Sequence, residues 1–261
     1  MFRIQIVICV LMFVACAEEP SKEIVLSGVS TEQLKLDSAS IAYITGKFDP
    51  SQHQDFELIA ATHADRTGMY IRKEAYSAFQ KMYEAAKREG INLVIRSAAR
   101  NFDYQKGIWE RKWTGQTILS NGKNASTDYN NDSIRARRIL EYSSMPGSSR
   151  HHWGTDIDLN SFENSWFESG EGLRVFNWLE ANAASYGFCR PYTAKGGARP
   201  FGYNEEKWHW SYLPIAEDLT QKAAYLPDSV FSGYLGDNTS QQIDILDHYI
   251  LGINSECKNH N

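Results

Sequence analysis

The chain reads as an α+β protein. Segments with helical period are interspersed with short apolar runs in no regular βαβ order, and no internal repeat is present. Hydrophobic residues at 42% and charged residues at 23% are the proportions of an ordinary globular chain, and 261 residues suffice for a substantial core. The net charge of −5 supplies no basic excess to release counterions, which excludes nucleic acid as the expected partner.

Taken in order, Met1 to Ala15 set Arg3 before an apolar run broken only by Gln5. The run is too short to span a bilayer and has the form of a secretory signal. It ends at Phe13-Val14-Ala15-Cys16, where a small residue precedes Cys as in a bacterial lipobox. The expectation is a lipoprotein signal peptide over residues 1–15, lipidation of Cys16 and a polar tether over 16–40. The chain would then be exported, face the periplasm or cell surface, and touch the membrane through its N-terminal lipid only. A simple cleaved signal peptide is the plainer alternative.

Residues 72–89 repeat Ala75, Phe79, Met82, Tyr83 and Ala86 at helical spacing, with Gly90 as a stop. Ile91 to Ile95 reads as a strand, Tyr104 to Trp113 as a helix, and the Gly-, Asn- and Ser-rich stretch from Gly115 to Asp132 as a loop. Helices are expected over Ser133–Tyr142 and over Glu171–Tyr186, the latter with Leu173, Phe176, Leu179 and Ala183 inward. Tyr192 to Tyr203 reads as a hairpin or loop, and Asp244 to Ile253 as an amphipathic helix. The folded domain is therefore expected over 41–225, with a helical extension over 226–261 packed on it, as a monomer. Of the four cysteines, Cys9 leaves with the signal and Cys16 takes lipid. In an oxidising compartment Cys189 and Cys257 can pair and pin the C-terminal tail, two buried thiols being the alternative.

Chemistry gathers in three segments. Ser149 to Asp158, SRHHWGTDID, holds two histidines and two aspartates; Glu205 to Tyr212, EEKWHWSY, holds a third histidine behind two glutamates. Two imidazoles and a carboxylate are the ligand set of a catalytic zinc that keeps one position open. The alternation Asp156-Ile157-Asp158 implies a strand with both carboxylates on one face and Ile157 in the core. Trp208 to Tyr212 is rich in strand formers and would deliver His209 from a second strand. His151 and Asp158 can converge across a bend at Gly154, although His152 is equally a ligand candidate or a surface residue. Hydrolysis also needs a base close to the metal but not bound to it, and Glu206 or Glu205 can serve. The third segment, Ser97 to Gln105, offers Arg100 as a fixed cationic fork for a carboxylate or an oxyanion.

Three patterns occur in order: Ser97-x-x-Arg100-x-x-x-x-Gln105, Ser149-x-His151-x-x-Gly154-x-x-x-Asp158 and Glu206-x-Trp208-His209-x-x-Tyr212. Together they resemble the zinc D-alanyl-D-alanine carboxypeptidases of the VanY type, over about Tyr70 to Tyr212. The resemblance implies a small antiparallel sheet flanked by helices, in a Hedgehog/DD-peptidase-like fold. It implies one Zn2+ per chain on His151, Asp158 and His209, with Glu206 as general base. Arg100 would sit near the scissile carbonyl or the substrate's terminal carboxylate, helped by Gln105, and Ser149 and Tyr212 would join the substrate site. The expected activity is hydrolysis of peptidoglycan stem peptides, foremost as a D-alanyl-D-alanine carboxypeptidase. The alternatives are an L,D-carboxypeptidase, a D-Ala-D-Ala dipeptidase or an L-Ala-D-Glu endopeptidase, and, in another class, a non-catalytic cell-wall-binding lipoprotein. The chain departs from the pattern at Asp156, where the family often has Ala. Asp156 would orient a ligand histidine or face solvent. The Gly115–Asp132 loop and the tail after Tyr212 also depart from it.

Overall fold

A computed structural model of the chain describes residues 36–258, so the expected signal peptide, the lipidation at Cys16 and most of the tether lie outside the described residues. Helix α1 (Ser38–Ile44) starts where the Asp37 carboxylate accepts the Ser40 N–H at 2.7 Å. Its Ile44 joins the core, so the folded unit begins before residue 41. Strands β1 (Phe56–Leu58) and β2 (Tyr70–Arg72) form an antiparallel pair. Helix α2 (Lys73–Arg88) buries Ala75, Phe79, Met82 and Ala86 as its periodicity requires. Glu74 in its first turn and Lys87 and Arg88 in its last complement the helix dipole.

The expected strand at 91–95 is displaced. Pairing begins only at Ile95, and β3 is Ile95–Ser97. Helices α3 (Phe102–Trp113), α4 (Ala125–Asp128) and α5 (Asp132–Ile139) follow, each opened by an asparagine side chain accepting a backbone N–H: Asn101, Asn124 and Asn131. The short α4 interrupts the loop expected over 115–132. A 3-10 turn, Arg150–Trp153, leads through Gly154 to β4 (Asp156–Leu159). After α6 (Gly170–Asn182), β5 (Phe188–Cys189) and β6 (His209–Tyr212) complete an antiparallel sheet in the order β3-β4-β6-β5. In α6 Val175, Trp178 and Leu179 are buried while Leu173 is exposed, so its inward face is rotated from the expected one. Helix α7 (Leu213–Ala223), with Pro214 in its first turn, carries no counterpart in the sequence reading.

The register of the sheet sets up the site. Asp158 pairs with His209 and Asp156 with Ser211, while Ile157 pairs with Trp210. Side chains alternate across a strand, so the four polar residues share one face and Ile157 and Trp210 share the other. The apolar pair joins a core built from α2 and α6, including Phe79, Met82 and Leu179. A second core gathers Trp109, Trp113, Ile139 and Leu219 around Phe231 and Ile243. Leu226, Val230 and Ile250 are buried in that same cluster, so residues beyond 225 are part of the domain rather than an addition to it. Nor is the 244–253 segment one amphipathic helix. Asp244 adopts a left-handed conformation (φ 59°) that ends α8 (Ser240–Ile243), and Leu246–Ile250 forms a single π turn. A Cys189–Cys257 disulfide, its Cα atoms 5.8 Å apart, ties this tail to β5, the bridged alternative of the two that the sequence leaves open.

Candidate metal centre and cleft

The turn, β4 and β6 bring His151, Asp158 and His209 together, with candidate ligand atoms all within 4.8 Å of one another. All three side chains are buried. His151 Nδ1 lies 2.8 Å from the Ala98 carbonyl, which takes its proton and turns Nε2 inward, 3.3 Å from Asp158 Oδ2. His209 Nε2 lies 2.9 Å from Asp156 Oδ1, so Nδ1 faces inward, 3.1 Å from Asp158 Oδ1. With both ring protons assigned to these outer partners, two lone pairs and a carboxylate confront one another in a buried site. His151 Nε2 and Asp158 Oδ1 have no hydrogen-bond partner. A cation between them satisfies both orphaned atoms, and two imidazoles with one carboxylate suit zinc.

Asp156 does not face solvent. Its carboxylate is fully buried and accepts from Thr155 Oγ1 at 2.6 Å, Ser211 Oγ at 2.9 Å and Arg150 Nε at 3.1 Å, besides holding His209. Arg150 in turn donates to Ser211 Oγ and Thr220 Oγ1 at 2.7 and 2.8 Å. Burial opposes the Asp156 charge, yet Arg150 and His209 hold its pKa well below the ordinary carboxylate value. Asp156 is thus the outer partner that fixes the orientation of a ligand histidine.

His152 is neither a ligand nor a surface residue. Its Nδ1 donates to the Arg100 carbonyl at 2.6 Å and its Nε2 accepts from the Gly147 N–H at 3.1 Å. Burial drives its pKa to about 3, which keeps the ring neutral for both bonds. The Arg100 N–H donates to the His151 carbonyl at 3.1 Å. The arginine segment and the histidine turn are therefore bolted together.

A cleft of about 740 Å³ opens over the centre, lined by Arg100, Gln105, Ser149, Glu206 and Trp208 among others. Glu206 is buried, with Oε2 3.4 Å from His209 Nδ1, and burial raises its pKa above the ordinary value. Glu205 points away and pairs with Arg190 at 2.9 Å, which leaves Glu206 as the acid beside the ligands. Arg100 Nε, Gln105 Oε1 and Ser149 Oγ are buried without partners, while Gln105 Nε2 donates to the Ser144 carbonyl at 2.8 Å. Thr117, Ile118, Ser120 and Asn121 bring the Gly115–Asp132 loop to the rim.

Tyr212 is not part of this site. It stands three residues from His209 on the same strand, and strand alternation sends it to the opposite face. There its ring packs on Phe188 at 5.4 Å and borders a separate depression beside Lys73 and Ser77. The cleft also holds residues without a counterpart in the sequence analysis, Tyr192 and Lys112 among them. Tyr192 packs its ring 4.7 Å from that of His209, and Lys112 lines the cleft from α3. Tyr192 sits in an irregular loop with no periodic signal. Lys112 shares one stripe of that helix with Gln105 and Ile108.

A buried His-Asp-His centre beside an acid, at the floor of a cleft in a small antiparallel sheet, defines a metallohydrolase-like site. The family model of the VanY D-alanyl-D-alanine carboxypeptidases matches residues 68–215, more than half of the chain, and the chain belongs to that family. YodJ of Bacillus subtilis (strain 168) is 32% identical over 147 residues, covering 55% of this chain and 46% of its own. The D-alanyl-D-alanine carboxypeptidase of Enterococcus faecalis (strain ATCC 700802 / V583) is 26% identical over 166 residues, 64% of this chain and 55% of that protein. The chain spans about half the length of these curated relatives. Among solved structures, the LdcB LD-carboxypeptidase is 23% identical with a TM-score of 0.49, over 80% of this chain and 81% of that one. That superposition is too loose to carry an argument about function.

Proposed function

We propose that the chain is a zinc-dependent peptidase acting on peptidoglycan stem peptides, foremost a D-alanyl-D-alanine carboxypeptidase. The observation that carries this reading is the buried donor set of His151, Asp158 and His209 with Glu206 beside it, inside a cleft of a VanY-family domain. Zinc held by those three residues would supply Lewis acidity at the reacting carbonyl and make water a usable nucleophile near neutral pH. Glu206, held by its burial at a raised pKa, accepts a proton from the attacking water and returns it to the leaving amine. Arg100, its Nε free in the cleft, donates to charge developing on the carbonyl oxygen, an effect worth roughly 10²–10³ in rate for one well-placed donor. Ser149 and Gln105 offer Oγ and Oε1 to the peptide backbone.

The signal-like N-terminus and Cys16 further support an exported, lipid-anchored protein, which mass spectrometry of the N-terminal peptide from membranes tests directly. The activity is tested by incubating the protein with defined stem peptides, with and without a chelator, and weighing the products. Release of a single C-terminal D-Ala that the chelator stops is the expected result. Loss of a dipeptide, or a cut between L-Ala and D-Glu, overturns the carboxypeptidase assignment. No cleavage of any stem peptide by zinc-loaded protein overturns the peptidase reading.

A further inference from the structure

A carboxypeptidase differs from an endopeptidase in one chemical demand: it has to recognise the free carboxylate at the end of its substrate. The cleft holds two cations, Arg100 and Lys112. Arg100 is fixed to the His151 turn through its backbone, which keeps it with the metal ligands. Lys112 comes from the last turn of α3, on the stripe Gln105–Ile108–Lys112 that walls the cleft. Seven residues of helix set Lys112 roughly 10 Å along the wall from Gln105.

Lys112 lines the cleft without forming an ion pair to any other described residue. Its Nζ donates to Ser143 Oγ at 2.5 Å. Of the four cleft carboxylates, Asp158 and Glu206 are engaged at the metal centre, Glu141 is paired with Arg138 at 2.7 Å, and Glu163 is exposed to solvent at the rim. Burial pulls the Lys112 pKa below the ordinary lysine value; the Glu206 charge pushes it back up and Arg100 adds to the drop. A half-buried ammonium held by one neutral hydroxyl and no ion pair is under-compensated, and an incoming anion restores the balance.

We propose that Lys112, seated on Ser143, anchors the free α-carboxylate of the substrate's C-terminal residue, leaving Arg100 to the reacting carbonyl. The proposal rests on the peptidase reading above and deepens it, making Lys112 the residue that selects chain ends. A charge-assisted contact of this kind separates an acid from its amide by about 10- to 100-fold.

The test measures binding, so it does not depend on turnover. Zinc-loaded Glu206→Gln protein is titrated calorimetrically with diacetyl-L-Lys-D-Ala-D-Ala and with the same peptide ending in a carboxamide, before and after adding Lys112→Met. The acid is expected to bind about 10- to 100-fold tighter than the amide with Lys112 present. Lys112→Met should lower that ratio about tenfold or more with amide binding unchanged, and Lys112→Arg should retain it. If Lys112→Met fails to fold, Lys112→Gln, which keeps a donor for Ser143, replaces it. An unchanged acid-to-amide ratio, or equal weakening of both peptides, overturns the role of Lys112 and leaves the peptidase reading intact. Binding of neither peptide overturns both.

Discussion

Asp156 Oδ1 lies 2.9 Å from His209 Nε2, and the carboxylate that makes this contact is itself held by Thr155, Ser211 and Arg150. The bond leaves His209 Nδ1 as the inward-facing ring nitrogen. Asp156→Asn should therefore weaken zinc binding about 10- to 100-fold, read by competition with a chromophoric chelator. It should also lower the melting temperature, because Arg150 loses its anion in a fully buried setting. Unchanged zinc affinity in the folded variant would show that His209 is oriented by other contacts.

Glu206 sits beside the donor set without belonging to it. Glu206→Gln should lower kcat by about 10²–10⁴ while bound zinc, measured by atomic absorption, stays near one per chain. Loss of the metal along with activity would make Glu206 a ligand rather than a base.

Gly154 has a φ of +70°, and a Cβ there would meet the Phe56 ring at 2.3 Å and Arg72 Cγ at 3.1 Å. Gly154→Ala should cost about 2–4 kcal/mol from the left-handed backbone and the overlap together. Denaturant unfolding checks this. A change below 1 kcal/mol would mean that the Phe56 strand yields easily.

The Cys189–Cys257 disulfide closes a loop of sequence separation 68. Chain entropy predicts that Cys257→Ser costs about 4 kcal/mol. Equal unfolding midpoints with and without reductant would mean that the tail is held by its apolar contacts alone.

His63 gives a pH dependence. Burial lowers its pKa, with Glu84 pulling the other way and Lys87 adding to the drop, and its ring packs against Tyr76 and Tyr83. A depressed histidine contributes stability above its unfolded pKa of about 6.5, and that contribution is lost as pH falls toward the folded value. Unfolding free energies at pH 8 and pH 5 should therefore differ more in the native chain than in His63→Gln. Equal differences would assign the acid sensitivity elsewhere.

The candidate metal ligands are the most legible part of the chain. Asp156-Ile157-Asp158 announces a strand with two carboxylates on one face, and the paired register with β6 adds His209 opposite Asp158. The same two-residue period explains why Tyr212, an odd number of positions from His209, falls on the other face despite sitting in the motif. His152 was ambiguous because a buried imidazole bridging two backbone groups leaves no trace in spacing. Strands β1 and β2 have three residues each, too few to display alternation. The 244–253 pattern looked helical, but a left-handed Asp244 is invisible to periodicity. Lys112 was hidden for a different reason: a lysine on a helix reads as solvated until a neighbouring segment is folded over it.

One imidazole, His152, reaches Gly147 on one side and Arg100 on the other. Catalytic floor and arginine loop consequently shift as one rigid casting. The lips of the opening, around Thr117 to Asn121, have no such brace to the donor set, so exchanges there reshape the mouth and spare the floor.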